Sequence, residues 1–295
     1  MAASLSLGGY TMLYECHAHI MLDGVSQKEA MARHFAAPDE AWVRAKLAEY
    51  KAAGVGYIRD GGDKCGVSVL AARIAPEYGI SFRTPCFAIH RKGRYGNMLG
   101  RAFEDMGEYR ALVAEVKEQG GNFIKLMATG ILDFNEYGAL TSEPLTAAEL
   151  EELVRIAHGE GFAVMAHCNG ADNVKAALAA GVDSIEHGFY LDEQAMRDLA
   201  ASKAIWVPTF APICELIGSG LFPDEVLEQI ARQHALELET VTGLGGTAAP
   251  GSDAGALKVL HARGIAAEYG YMRQVISDEA LCRGAELLKR RFNRR

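Results

Sequence analysis

The chain has 295 residues, with 30 lysines and arginines against 38 aspartates and glutamates, giving a formal charge of −8. That acidic balance argues against nucleic-acid binding, which normally needs a basic surface, and no run approaches the roughly 18 apolar residues of a membrane span. At 49% hydrophobic and 23% charged, the composition is that of a globular protein with ample material for one large core.

Residues 1–11 are small and uncharged, without the basic start and apolar stretch of an export signal. They read as a leader or short N-terminal segment, and cytoplasm is the expected compartment. The six cysteines (Cys16, Cys65, Cys86, Cys168, Cys214 and Cys282) are scattered without a C-x-x-C pair, so free thiols are expected.

In chain order, short apolar runs alternate with longer amphipathic ones. Strands are expected over 10–16, 56–59, 82–89, 122–127, 162–166, 184–186, 205–209 and 247–251. Several are near-continuously apolar, as strands buried on both faces must be. Helices are expected over 38–53, 67–78, 146–160, 172–180, 192–202, 224–244 and 278–291. Thr146 and Glu149 form a capping-box pattern, and Asp172, Asp192 and Asp224 stand where they can cap free N–H groups. Gly54, Gly79, Gly120, Gly161 and Gly181 fall at expected helix ends. Repeated βα units without a linker predict a single domain over 1–295, a (β/α)₈ TIM barrel of the α/β class. An open doubly wound sheet is the alternative, but the glycine-rich phosphate turn it would need after its first strand is missing.

The chemistry-bearing residues cluster at strand ends. His17 and His19 follow the first strand, two residues apart and so on one face. Lys125 interrupts the apolar run Phe123-Ile124-Lys125-Leu126-Met127. Buried lysine is costly unless paired or modified. It either reaches solvent or a carboxylate at the strand mouth, or takes up CO₂ as a carbamate bridging two metals. His167 ends the fifth strand, His187 the sixth and Asp253 the eighth. Taken singly, each has a bland reading: core histidine, or helix-capping aspartate. All six fall at the strand ends where barrel active sites lie, and together they point to metal binding. Imidazole and carboxylate ligands suit zinc, with manganese, iron or nickel as alternatives.

Five stretches carry a family resemblance over about residues 13–288. They are Glu15-Cys16-His17-Ala18-His19, Gly56-Tyr57-Ile58-Arg59-Asp60-Gly61-Gly62 and Ile124-Lys125-Leu126-Met127-Ala128-Thr129-Gly130. The fourth pairs Ala166-His167-Cys168-Asn169-Gly170 with Gly181-Val182-Asp183-Ser184-Ile185-Glu186-His187-Gly188, and the last is Gly251-Ser252-Asp253-Ala254-Gly255. The chain resembles the amidohydrolase superfamily, in its binuclear carboxylated-lysine subtype. It is most similar to the branch of imidazolonepropionase-like enzymes and metal-dependent Xaa-Pro dipeptidases. Glu15 stands where the family usually has Asp, and Ile131 where a second Gly is common.

The resemblance implies two divalent metal ions, one held by His17, His19 and Asp253 and the other by His167 and His187, with carboxylated Lys125 between them. It implies a metal-dependent hydrolase that cleaves an amide (a peptide, N-acyl amino acid or cyclic amide) with a metal-bridging hydroxide, Asp253 moving the proton. The flanking β-sandwich usual in the family is expected to be reduced or absent, leaving open how the barrel's bottom is covered; a homo-oligomer is one answer. The basic loop His90-Arg91-Lys92-Gly93-Arg94-Tyr95 is expected to clamp a substrate carboxylate, against the alternative of a solvated loop. Tyr137 and His261 are further substrate-binding candidates on position alone. Cys16 and Cys168 are expected to point away from the metals, between barrel and helices. An esterase, lactonase or deaminase on the same metal site is the alternative activity, and a non-catalytic binding barrel the alternative from another class.

Overall fold

The computed structural model describes residues 12–293. Its elements are β1 (Leu13–Ala18), α1 (Gln27–Arg33), α2 (Glu40–Ala52), β2 (Val55–Asp60), α3 (Val67–Ile74) with a following 3₁₀ turn (Ala75–Tyr78), β3 (Ser81–Arg83), β4 (Ala88–Arg91) and β5 (Gly100–Phe103). Then come α4 (Met106–Glu118), β6 (Ile124–Met127), α5 (Ala147–Gly159), β7 (Val164–Cys168), α6 (Ala171–Ala180), β8 (Ser184–His187), α7 (Glu193–Ala201) and β9 (Ile205–Val207). The last are α8 (Ala211–Cys214), α9 (Asp224–Gly243), α10 (Arg263–Met272) and α11 (Asp278–Phe292).

The strands form two parallel sheets, β1-β2-β3 and β5-β4-β6-β7-β8-β9. The expected third strand is broken into β3 and β4. Pro85, which has no N–H to give a ladder, sits in the break, and Cys86 beside it takes a left-handed φ of 67°. The expected eighth strand makes only isolated bridges, again around a proline. Thr247 O accepts from Trp206 N at 2.9 Å and Ala249 N donates to Trp206 O at 2.8 Å, while Pro250 O accepts from Cys16 N at 3.0 Å. Asp253 N then donates to His17 O at 2.8 Å. This segment therefore connects the far edge of the larger sheet to β1.

Alternation along the strands divides the core in two. Ile58, Ile124, Leu126, Val164, Ala166, Ile185 and Trp206 join the helix-facing cluster. Tyr57, Phe123, Met165, Ile205, Val207 and Ala249 form the opposite, inner cluster. The inner cluster also takes in Ala285, Leu288 and Phe292 of α11, and the Phe292 ring meets Phe123 edge-on at 5.3 Å. The C-terminal helix thus packs under the inner face, the position for which the sequence supplied no cover. It lies so close that a Cβ on Gly284 would fall 1.8 Å from Ala248 O. Cys168 packs among the helix-facing residues as expected, but Cys16 belongs to the inner cluster. Strand alternation from His17 fails there because β1 is irregular between Glu15 and Ala18. The cysteines are free.

Helix ends follow local chemistry. Thr146 and Glu149 form the capping box, and Asp192 caps α7 through Ala195 N at 2.7 Å. Asp172 and Asp224 instead lie inside the first turns of α6 and α9 and do not cap them; the cap positions are Gly170 and Pro223. The helices α1, α8 and α10 and strand β5 were not anticipated, and of α4 only its end near Gly120 was. In α4 only Tyr109, Val113 and Val116 are buried, too sparse a stripe to stand out among charged neighbours. No helix of the described residues is long and apolar enough to cross a membrane.

Candidate metal centre

β1, β6, β7 and β8 end at one mouth, and the turn after 247–251 ends beside them. His17, His19, Lys125, His167, His187 and Asp253 all line one cavity of about 370 Å³ there. Ring centroids are 5.3 Å apart for His17 and His19, 4.9 Å for His17 and His187, and 4.6 Å for His167 and His187. Asp253 Oδ1 lies 3.5 Å from His17 Nε2 and 3.3 Å from His19 Nε2. These three residues place ligand atoms within 4.8 Å of one another, the spacing of a shared cation. His187 and Asp253 reach the cluster from left-handed backbone, at φ 68° and 56°, as functional residues with strained dihedrals often do.

Three of the four imidazoles, those of His17, His187 and His167, have their orientation set by a hydrogen-bond partner, whereas the buried His19 Nδ1 has none. His17 Nδ1 donates to Glu186 Oε2 at 2.7 Å, which turns the Nε2 lone pair into the cavity, where that buried atom has no hydrogen-bond partner. Glu186 is held in turn by Arg59, whose Nη2 donates to Oε1 at 2.7 Å and Oε2 at 2.8 Å, and by Ser184 Oγ. Arg59 also donates to Cys16 O at 2.8 Å and Ser184 Oγ at 2.8 Å. Thr209 gives its hydroxyl proton to Pro208 O at 2.6 Å, so towards His187 Nδ1, 2.8 Å away, it can only accept. That leaves His187 Nε2 as the free lone pair. His167 differs: Nε2 donates to Gly130 O at 3.1 Å, presenting Nδ1. A carboxylate or carbonyl behind each ligand histidine is the usual support of a metal site.

Burial pushes the His17 and His187 imidazoles well below their usual range and His167 down to about 3. These are neutral imidazoles, the form that binds metal. Lys125 is 1% exposed, and its Nζ is buried without a hydrogen-bond partner. Desolvation brings its ammonium down to about 8. The Nε2 atoms of His17 and His19 facing the Asp253 carboxylate, with the unpartnered Lys125 amine, are a donor set that fits divalent cations.

The sequence named Arg59, Ser184 and Glu186 within motifs but gave them no role, and it missed Thr209. For Arg59 and Glu186 the signal was charge inside apolar strands, at alternating positions that share the inner face; Ser184 and Thr209, uncharged, gave none. Replacing Thr209 by Val should free His187 to adopt the wrong tautomer while keeping its shape. Metal affinity is expected to fall about 10–100-fold, measured by titration with a competing chelator; unchanged affinity would remove Thr209 from the site.

The substrate-binding expectations fare less evenly. Tyr95 lines the cavity, its ring 5.2 Å from that of His167. His90 is buried beside the site, but it does not line the cavity and its Nδ1 donates to Arg91 O at 2.9 Å. Arg91 pairs with Glu149 at 3.3 Å, and exposed Lys92 pairs with Glu104. Arg94 donates to Pro144 O at 2.8 Å. The three cations of this loop are thus engaged by Glu149 of α5, by Glu104 after β5 and by a backbone carbonyl, and none of them lines the cavity. Tyr137 is 39% exposed and stacks edge-on with Tyr190 at 5.1 Å. His261 is buried between Tyr50 OH at 3.0 Å and Leu22 O at 2.7 Å, where it braces α2 against the loop after β1. Neither Tyr137 nor His261 lines the cavity.

Several solved structures share this fold. A Xaa-Pro dipeptidase with methionine bound in its active site superposes with a TM-score of 0.74 at 23% identity, over 95% of this chain and 76% of that one. A prolidase complexed with N-methylphosphonate-L-proline gives 0.72 at 20% identity, over 97% and 75%. The ochratoxinase of A. niger gives 0.71 at 19% identity, over 95% and 69%. Among curated protein sequences none matches the chain. A profile of the amidohydrolase family matches residues 13–239. The chain belongs to the amidohydrolase family and is an enzyme that hydrolyses amide or other C–N bonds.

Proposed function

We propose that the protein is a two-metal amide hydrolase of the dipeptidase-like branch, working at the mouth of a closed (β/α)₈ barrel. The closure rests on the 247–253 segment, hydrogen-bonded to β9 on one side and β1 on the other. The observation that carries the activity is the convergence of four histidines, Lys125 and Asp253 on one cavity, with the rings of His17, His187 and His167 each oriented by a hydrogen bond.

His17, His19 and Asp253 would hold one cation and His167 and His187 a second. Lys125 would lie between them as the carbamate, formed when its neutral amine adds to CO₂ with loss of a proton. Its burial, and an Nζ without a protein partner, favour that modification over a bare ammonium. Divalent cations held there acidify a water and polarise the scissile carbonyl. Asp253 takes the proton of the attacking water and returns it to the leaving nitrogen, as base and then acid. Tyr95, lining the cavity beside His167, is placed to donate its hydroxyl to the substrate. Arg59 and Glu186 fix His17 from below and take no part in proton transfer.

The reading predicts about two equivalents of transition metal per chain after loading with zinc or manganese. Hydrolysis of simple amides should be lost to a chelator and restored by metal. Elemental analysis alongside an amide panel tests both; no bound metal after loading would overturn the reading.

A further inference from the structure

We infer that the substrate is an apolar, uncharged amide, with an aryl or branched aliphatic group beside the scissile bond and no free carboxylate. This rests on the hydrolase reading above and departs from the anionic substrate that the sequence suggested.

The cavity has two apolar walls. Leu132, Phe189, Ile213 and Leu216 form one. They belong to an apolar cluster separate from both core layers, backed by Leu227 and Ile230 of α9. Met98 and Leu99, which pack with the helix-facing core, form the other. The first wall is a preformed surface, packed from behind and so not free to fold away. A cavity of about 370 Å³ falls within the range of about 300–1,000 Å³ that encloses a small organic ligand.

Charge supplies the second half of the argument. Among the described residues lining the cavity there is no arginine, and Lys125 is the sole lysine. The cations of the neighbouring loop are spent elsewhere: Arg91 on Glu149, Lys92 on Glu104, and Arg94 on a backbone carbonyl. Asn169 has both ends of its amide engaged, by Gly130 O and Phe189 N. A substrate carboxylate entering here would lose water and meet only the neutral donors Tyr95 and Gln27, with no cation outside the ligand cluster to balance its charge, which is unfavourable. The one cationic place left is the ligand cluster, where it would displace the attacking water. An apolar group instead gains from every wall it covers.

Two matched pairs test this in the metal-loaded enzyme. N-hexanoyl-4-aminobenzamide is compared with N-hexanoyl-4-aminobenzoate, and hexananilide with adipic acid monoanilide. Each pair differs by one carboxylate, on the leaving side in the first and the acyl side in the second. The neutral member of both pairs should show kcat/KM at least about tenfold higher, as expected for one unpaired buried charge. Equal or faster turnover of a carboxylated member in either pair overturns the inference and leaves the amide hydrolase reading intact. If all four are inert, that reading fails instead, and calorimetric binding of the same compounds decides the inference. Tighter binding of the neutral members supports it; preference for the carboxylates, or no binding at all, overturns it.

Discussion

Asp253→Asn should reduce turnover about 10²–10⁴-fold, the range expected for losing a general base, while the protein keeps most of its metal. The side chain lies 3.3 Å from His19 and 3.5 Å from His17, and an asparagine oxygen there can still ligate. Asparagine also tolerates the left-handed backbone at this position, φ 56°, better than most residues, so the turn should persist. What it cannot do at neutral pH is accept a proton from water. Measurement of kcat and of metal content on the same preparation separates the two functions. Wild-type turnover in the variant would refute the proton-transfer role. Loss of metal together with turnover would make Asp253 chiefly a ligand.

The convergence of these six side chains on one cavity was legible because strand ends are legible. A run such as Phe162 to Ala166 must be buried on both faces, so the polar residue that ends it, His167, marks where the sheet meets the cavity. Lys125 was conspicuous for the same reason: charge inside an apolar strand has few bland explanations. The substrate loops could not be read in this way. Arg91 and Lys92 follow a strand as a ligand would, but their direction is set by acidic partners on α5 and on the turn after β5, a strand that the sequence did not announce. His261 looked like a site residue because it follows Asp253, yet a tyrosine from α2 and a carbonyl 239 positions earlier claim its ring. Such contacts between distant segments leave no periodic trace. Proline likewise blurred the third and eighth strands, since it withholds a ladder hydrogen bond without changing the apolar pattern.

The second large effect is expected beneath the candidate metal centre, at Arg59. Its side chain is fully buried, donates to both oxygens of Glu186 and lies over the Phe292 ring of α11 at 4.4 Å. Arg59→Met fills similar volume but leaves Glu186 as a buried charge facing only His17 Nδ1 and Ser184, so unfolding free energy should fall by about 3–5 kcal/mol. Urea denaturation of the metal-free protein measures this without the contribution of bound cations. Replacing both partners, Arg59→Met with Glu186→Met, removes the stranded charge and should recover most of that loss. The double variant nevertheless lacks the carboxylate that fixes the His17 tautomer, so its metal affinity should stay about 10–100-fold below wild type. Stability and metal binding then move in opposite directions between the single and the double variant, which a merely structural ion pair would not produce. If the double variant binds metal like wild type, Glu186 does not position His17, and the chain from Arg59 to the site ends at the fold.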